Sequence, residues 1–267
     1  MLLSEPGRTN YDFEFSMFGF PVRVHPAFFI LPLILGAGLL QNAENSPGIT
    51  LIVLATVFFV SILVHELGHA FAFRYYGIHS RIVLYWMGGL AIPDAGSAWT
   101  RPTASLNPNQ QIVVSLAGPI FGFLLAALLI GIVFALDGTV VFYVEGILPS
   151  LYPILPANFA TGPATNAAKI FLQVGIWANV FLNVLNLAPV YPLDGGQVAR
   201  QLFVLNGGLN EGIRNSMMLS IAAGGLIALA SFMGEGGRFI GFFFGFMAWS
   251  NYMTLQQMGG FGGGRPW

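Results

Sequence analysis

The sequence predicts an all-α integral membrane protein: a six-transmembrane-helix bundle with a short membrane-associated β-hairpin between the second and third spans. Three observations predict it. Hydrophobic residues make up 55% of the 267 positions and charged residues only 8%, against about 25% charged in a soluble domain. Mean hydropathy is +0.73. The apolar residues also gather in runs close to the ~20 that a helix needs to cross the hydrocarbon core.

The first run extends from Val24 to Leu40 and the second from Thr50 to Phe73. Ile112–Leu136 and Ala167–Val190 are the third and fourth, and Ser216–Met233 and Phe239–Leu255 the fifth and sixth. Val140–Leu155 is apolar too, but Glu145, Pro149 and Pro153 interrupt it, so it reads as an interfacial or re-entrant stretch. Between the second and third spans, His79–Pro93 alternates Ile82, Leu84 and Trp86 with Val83, Tyr85 and Met87, and Gly88–Gly89 supplies a turn. That pattern predicts the hairpin.

Orientation follows from the cations, because short cytoplasmic loops hold the excess of Lys and Arg. With both termini in the cytoplasm, Arg8, Arg23, Arg74, Arg81, Arg101, Arg200, Arg214 and Arg265 are cytoplasmic, and only Lys169 and Arg238 are not. The reverse orientation inverts the ratio. Residues 1–23 form a cytoplasmic N-terminal segment. Glu5, Arg8, Asp12 and Glu14 interrupt it, so it does not read as a cleaved signal peptide, and the mature chain is expected to begin at Met1. Residues 259–267 are Gly-rich and expected to be a disordered tail. The whole, 1–267, reads as a single integral membrane domain with the lipid bilayer as its solvent.

A net charge of −1 without a basic run argues against a nucleic-acid partner. The absence of cysteine excludes disulfides, thiolate metal ligands and a thiol nucleophile. Any metal must be held by His, Asp or Glu.

Late in the second span the chain reads Val64-His65-Glu66-Leu67-Gly68-His69. Residues four apart share a helix face, so both imidazoles reach one ion. Glu66 sits about 100° further round, where its carboxylate reaches water at the metal without having to ligate it. Three ionisable side chains within five residues of a membrane helix are costly and point to function. A catalytic zinc takes three protein ligands and a water, so another span must supply one. The end of the fourth does: Asn186-Leu187-Ala188-Pro189-Val190-Tyr191-Pro192-Leu193-Asp194-Gly195-Gly196. Pro189 and Pro192 stop regular helix, and broken backbone at membrane depth is tolerated only inside protein or against a water-filled cavity. His65, His69 and Asp194 are therefore the expected metal ligands and Glu66 the expected general base. His65 lies roughly 12 Å from the cytoplasmic end of its span, and Asp194 also follows a span running inward, so the charge rule brings both to one face.

His65-Glu66-Leu67-Gly68-His69, followed by Asn186, Pro189, Pro192 and Leu193-Asp194-Gly195, resembles the site-2 protease family of intramembrane metalloproteases. Ala117-Gly118-Pro119 and the Gly88–Gly89 hairpin match as well. Phe18-Gly19, Pro21 and His25-Pro26 resemble its compact bacterial branch, which includes the sporulation protease. The resemblance covers residues 15–255. It implies Zn2+ at His65, His69 and Asp194, with Glu66 catalytic. It further implies a zinc metalloendopeptidase that cleaves peptide bonds in or near transmembrane segments (regulated intramembrane proteolysis), with a transmembrane protein as substrate. A multi-pass protein of a bacterial or archaeal cell membrane is expected. Neither a PDZ insertion nor a C-terminal CBS pair, which many relatives carry, is expected from these residues.

Other readings stay open at this stage. Two His and one carboxylate also suit iron; an ion transporter could carry the same ligands, though it would not need an acid beside a ligand, and so could an inactive scaffold, against which an intact site argues. Asn183 and Asn186 are read either as substrate contacts or as helix-bridging polar residues. His25 and His79 read as interfacial.

Overall fold

The computed structural model describes residues 5–30, 32–34, 47–93, 106–145, 148–156, 162–234 and 238–260. Two compact units make up the chain. One comprises Met1–Ser105, Ala117–Tyr143 and Pro149–Asn183, and the other Leu106–Leu116, Val144–Leu148 and Val184–Trp267.

The first unit opens with strands β1 (Phe13–Met17) and β2 (Phe20–Val24). They join through Phe18 and Gly19 at φ 51° and 80°, the two-residue turn whose twist suits an antiparallel pair. Arg74 donates from Nη2 to the Phe18 carbonyl at 2.8 Å and lays its guanidinium 3.6 Å over the Phe20 ring. After β2, His25 caps a 3₁₀ turn at Pro26–Phe29 by accepting from the Ala27 amide. Helix α1 (Pro47–Tyr75) follows, then strands β3 (Ser80–Tyr85) and β4 (Gly88–Pro93).

These strands form one sheet in the order β1-β2-β3-β4. β2 and β3 run parallel, with Val22 opposite Ile82 and Val24 opposite Leu84. Parallel neighbours require a long crossover, and α1 lies on it. Alternation along β2 and β3 turns Phe20, Val22, Val24, Ile82 and Leu84 into a core shared with Leu54, Phe58, Ile62 and Leu67 of α1. The sheet thus fixes α1 at the level of its histidines. Two charged residues stand at intervening positions: buried Arg23 of β2 pairs with Asp12 at 2.8 Å and Glu5 at 2.9 Å, and Glu5 also meets Arg81 of β3 at 2.7 Å.

Helix α2 (Pro108–Ala135) starts at a reciprocal cap. The Asn107 side chain accepts from the Gln110 amide, while the Gln110 side chain accepts from the Asn107 amide, with Pro108 in the first turn where no N–H is needed. It ends where Asp137 takes a positive φ and the Gly138 amide returns to the Val133 carbonyl. The interrupted apolar stretch after it is β structure: β5 (Thr139–Glu145) and β6 (Leu148–Ile154) make a two-stranded sheet. Val140, Leu151 and Leu155 pack on Leu129 and Val133 of α2 and on Leu172 and Ile176 of α3 (Pro163–Asn186).

The second unit holds α4 (Asp194–Met233) and α5 (Arg238–Gly260). Their core is Val190, Ala228, Phe244 and Met247. The expected fifth span is thus the latter part of a 40-residue helix that begins at Asp194 and breaks at Gly208, φ 78° and ψ 176°, a conformation open to glycine. Among the described residues four helices are long and apolar enough to cross a membrane: α1, α2, α3 from Thr165, and α4. α5 coincides with the expected sixth span, but Arg238, Ser250 and Asn251 dilute its apolar run. Where the expected first span begins, Val24 ends β2 and Pro26–Phe29 form the 3₁₀ turn; residues 31 and 35–40 of that span lie outside the described residues, as do residues 261–267 of the expected tail, while Gly259 and Gly260 belong to α5.

The ion pairs that seat β1 and β2 make this corner acid-sensitive. Asp12 is held down at about 2, from an ordinary 3.8, by the Thr9 hydroxyl and then by Arg23. Glu5 is lowered chiefly by its hydrogen bond to Arg81. A carboxyl lowered in the folded state stabilises it above the unfolded value and loses that contribution as pH falls through the folded one. A spin label at Ser16→Cys, attached without competition in a chain lacking cysteine, should remain immobilised at pH 5 and gain mobility between about pH 4 and pH 2. An unchanged line shape at pH 2 would remove these carboxylates from the account of how β1 is held.

Candidate metal centre

From Ser61 to Ala70, α1 is buried at every position but Val64, so its polar residues cannot turn to solvent. His65, Glu66 and His69 are each less than a tenth exposed. One ligand atom from each lies within 4.8 Å of the others. The helical spacing puts the imidazoles in edge-to-face contact, centroids 4.8 Å apart at 76°, with the two Nε2 atoms 3.1 Å from each other. Two nitrogens bound tetrahedrally at about 2.05 Å from zinc stand about 3.3 Å apart. The donor set and its spacing therefore fit a divalent ion.

Neighbouring backbone closes on the group only because side chains are missing. A Cβ on Gly118 of α2 would stand against His69 Nε2 and 2.8 Å from His65 Nε2. A Cβ on Gly89 of β4 would fall 2.6 Å from Glu66 Oε1. The sequence pattern expects a turn at Gly88–Gly89; the turn lies instead at Trp86 and Met87, and both glycines stand in β4. The contacts of Gly89 and Gly118 are specific to the three ionisable residues.

Two further side chains join the group. Asn183 of α3, 2% exposed, places Oδ1 2.8 Å from His65 Nδ1, so at this position it contacts the metal-site histidine. Tyr85 of β3 is buried and its hydroxyl is pushed up to about 12 by that burial and by the charge of Glu66. Alternation in β3 gave no sign of this, because proximity to Glu66 arises from the packing of the sheet on α1. His25 caps its turn, and His79 is exposed.

Asp194 belongs to the other unit, buried in the first turn of α4. The loop before it is fastened by side chains from downstream helices. Ser220 Oγ accepts from the Tyr191 amide at 2.9 Å, Asn251 Nδ2 donates to the Tyr191 carbonyl at 2.6 Å, and Arg200 lies 3.5 Å over the Tyr191 ring. Gly195 and Gly196 let the start of α4 sit on the backbone of Leu187–Tyr191, where Cβ atoms would come within 2.6 Å of the Ala188 and Val190 carbonyl oxygens. The structure brings His65, Glu66 and His69 together within the first unit; Asp194 is carried by the second.

Comparison with known proteins bears on this arrangement. The sequence profile of peptidase family M50 matches residues 53–230. A zinc metalloprotease of Methanocaldococcus jannaschii is 26% identical over 196 residues, 72% of this chain and 46% of that protein. A Synechocystis sp. protein provisionally named a zinc metalloprotease is 29% identical over 210 residues, 74% of this chain and 46% of the other. The chain thus spans about half the length of the curated relatives it matches. In fold it is similar to the solved site-2 protease from Methanocaldococcus jannaschii, with a TM-score of 0.51 and 23% identity over 90% of this chain and 95% of that one.

Gly118→Ala should push both imidazoles off their positions and weaken binding of a divalent ion by about tenfold or more, read by competition with a chromogenic chelator. Gly225→Ala, where a Cβ meets nothing within 4 Å, should bind as the unaltered chain does. Equal binding by the Gly118 variant would mean that close packing of α2 is not what shapes the pair.

Proposed function

The chain belongs to peptidase family M50, and from that premise we propose that it is an intramembrane zinc metalloprotease that hydrolyses peptide bonds in or near transmembrane segments of membrane-protein substrates. The observation that carries the reading is the facing pair of buried Nε2 atoms with a buried carboxylate beside them. His65, His69 and Asp194 are the proposed ligands, and Glu66 the catalytic acid–base. The proposal keeps one membrane protease domain over 1–267, a membrane-associated Ser80–Pro93 hairpin, six spans and cytoplasmic termini. The first of those spans is the run Val24–Leu40, and the four apolar helices support the multi-pass character.

Zinc held by these residues would acidify a water molecule and polarise the scissile carbonyl. Everything else falls to the chain. Glu66 Oε1, walled by the Gly89 backbone, accepts the proton from the attacking water and returns it to the departing amine. Burial of the site keeps the carboxylate from bulk solvent and strengthens its interaction with the developing charge. A substrate helix has its amides paired internally, so its carbonyls become available only after local unwinding. β4 is an outer strand of its sheet and passes Glu66 at Gly89. An unwound segment added along that edge would receive main-chain hydrogen bonds next to the proposed base.

Glu66→Gln should retain zinc and lose cleavage of a membrane-embedded substrate by a factor of about 10² to 10⁴. Asp194→Ala should lose the zinc itself. Metal content and a gel-based cleavage assay on the same preparations separate the two. Cleavage by the Glu66 variant at the original rate, or equal zinc in the Asp194 variant, would refute the corresponding assignment.

A further inference from the structure

We infer that Asn183 is a positioning residue for the metal: it fixes the tautomer and ring plane of His65 so that an unprotonated Nε2 faces the ion. The inference rests on the proposed metal site and adds to it a residue outside the ligand set. Helix α3 carries Asn179 and Asn183 one turn apart, facing Ser61 and His65 one turn apart on α1. Two rungs connect the helices. Asn179 Nδ2 donates to Ser61 Oγ at 2.8 Å, and His65 Nδ1 meets Asn183 Oδ1 at 2.8 Å. All four side chains are less than a tenth exposed.

The amide of Asn183 has one workable orientation. Its Nδ2 donates to the Asn179 carbonyl. A flipped amide would set oxygen against that carbonyl oxygen. The oxygen therefore faces His65, and an oxygen can only accept. His65 must then carry its proton on Nδ1, which leaves Nε2 unprotonated, with its lone pair turned outward. That lone pair is directed at the space shared with His69 Nε2, 3.1 Å away. A neutral imidazole with its far nitrogen protonated is the form a metal binds, and the partner of that far nitrogen sets ring orientation and ligand basicity.

The third side of the amide is closed as well. A Cβ on Gly122 of α2 would stand 2.5 Å from Asn183 Cγ and Oδ1. The side chain is held between its own helix, α1 and the bare face of α2. A residue that merely bridged helices would need only some polar partner on α1. Here the partner is the metal-site histidine, and the second rung one turn away supplies the bridging.

The test uses the full chain in detergent micelles, with zinc affinity read by chelator competition and the visible spectrum of the cobalt-substituted site as a second readout. Asn183→Ala should bind zinc about 10- to 100-fold more weakly and shift the cobalt bands. Asn183→Asp keeps an acceptor toward His65 and should stay within about threefold of the original. A helix-bridging role predicts the reverse order, because a carboxylate at that buried place loses the donor to Asn179. Asn183→Ser, whose hydroxyl cannot reach His65, replaces the Ala variant should that one not fold. Unaltered affinity in the Ala or Ser variant, or a loss with Asp equal to that with Ala, overturns the inference. His65→Ala is the control for the metal site itself: if it binds zinc as well as the unaltered chain, the ligand assignment fails rather than the role of Asn183.

Discussion

The structure is organised around the cost of keeping His65, Glu66 and His69 inside an apolar helix. A carboxylate alone at the centre of a membrane helix costs about 3 kcal/mol on insertion scales, and an unpaired buried polar group costs about 1–3 kcal/mol. Those penalties fall only if each group meets a partner. Much of the first unit can be read as the supply of partners: a second helix that presents bare backbone, a third that presents an amide oxygen, and a sheet that holds α1 in register with both. The helix could satisfy its own backbone without any of these. Its side chains could not.

Close approach is how most of those partners arrive. Gly118 brings α2 against the imidazoles and Gly89 brings β4 against the carboxylate. In each case the absent Cβ is occupied by an atom of the site, so packing and chemistry draw on the same positions. This explains why small residues here cannot be judged by spacing alone. A small-residue stripe predicts that two helices approach, yet says nothing about which side chain fills the gap. Gly195 and Gly196 show the same on the other unit: their role is steric, to lay the start of α4 on the preceding loop, rather than to lend it freedom.

What the sequence revealed and what it hid divide along one line. The His65–His69 pair was legible because helical periodicity makes a four-residue spacing into a spatial contact, with no knowledge of the rest of the fold. The hairpin strands β3 and β4 are local too, and their alternation showed. The sequence presents β1 and most of β2 only as an N-terminal segment expected in the cytoplasm, because β2 finds its parallel partner β3 only across the whole of α1, and no local pattern reports that pairing. Val140–Leu155 was ambiguous for a different reason. Its prolines and glutamate exclude a helix, but alternation is weak where one face of a short sheet packs on α2 and α3. Asn183 was visible as a polar residue on an apolar helix; which atom it served was a matter of how α1 and α3 face each other.

Asp194 completes this reasoning from the other side. A proposed ligand that follows a loop with two prolines would be expected to wander with it, and a wandering carboxylate binds metal poorly because the ordering entropy is paid on binding. The chain avoids that by fastening Tyr191 at its amide, its carbonyl and its ring, through Ser220, Asn251 and Arg200. Ser220 stands in the part of α4 beyond the Gly208 break and Asn251 on α5. Helical segments that carry no proposed ligand thereby hold the backbone that leads into Asp194. The C-terminal region, which composition presents only as apolar spans, bears on the proposed site through the backbone it holds, and α5 carries exposed Phe239, Phe242 and Phe246 on the same helix as buried Phe244 and Asn251.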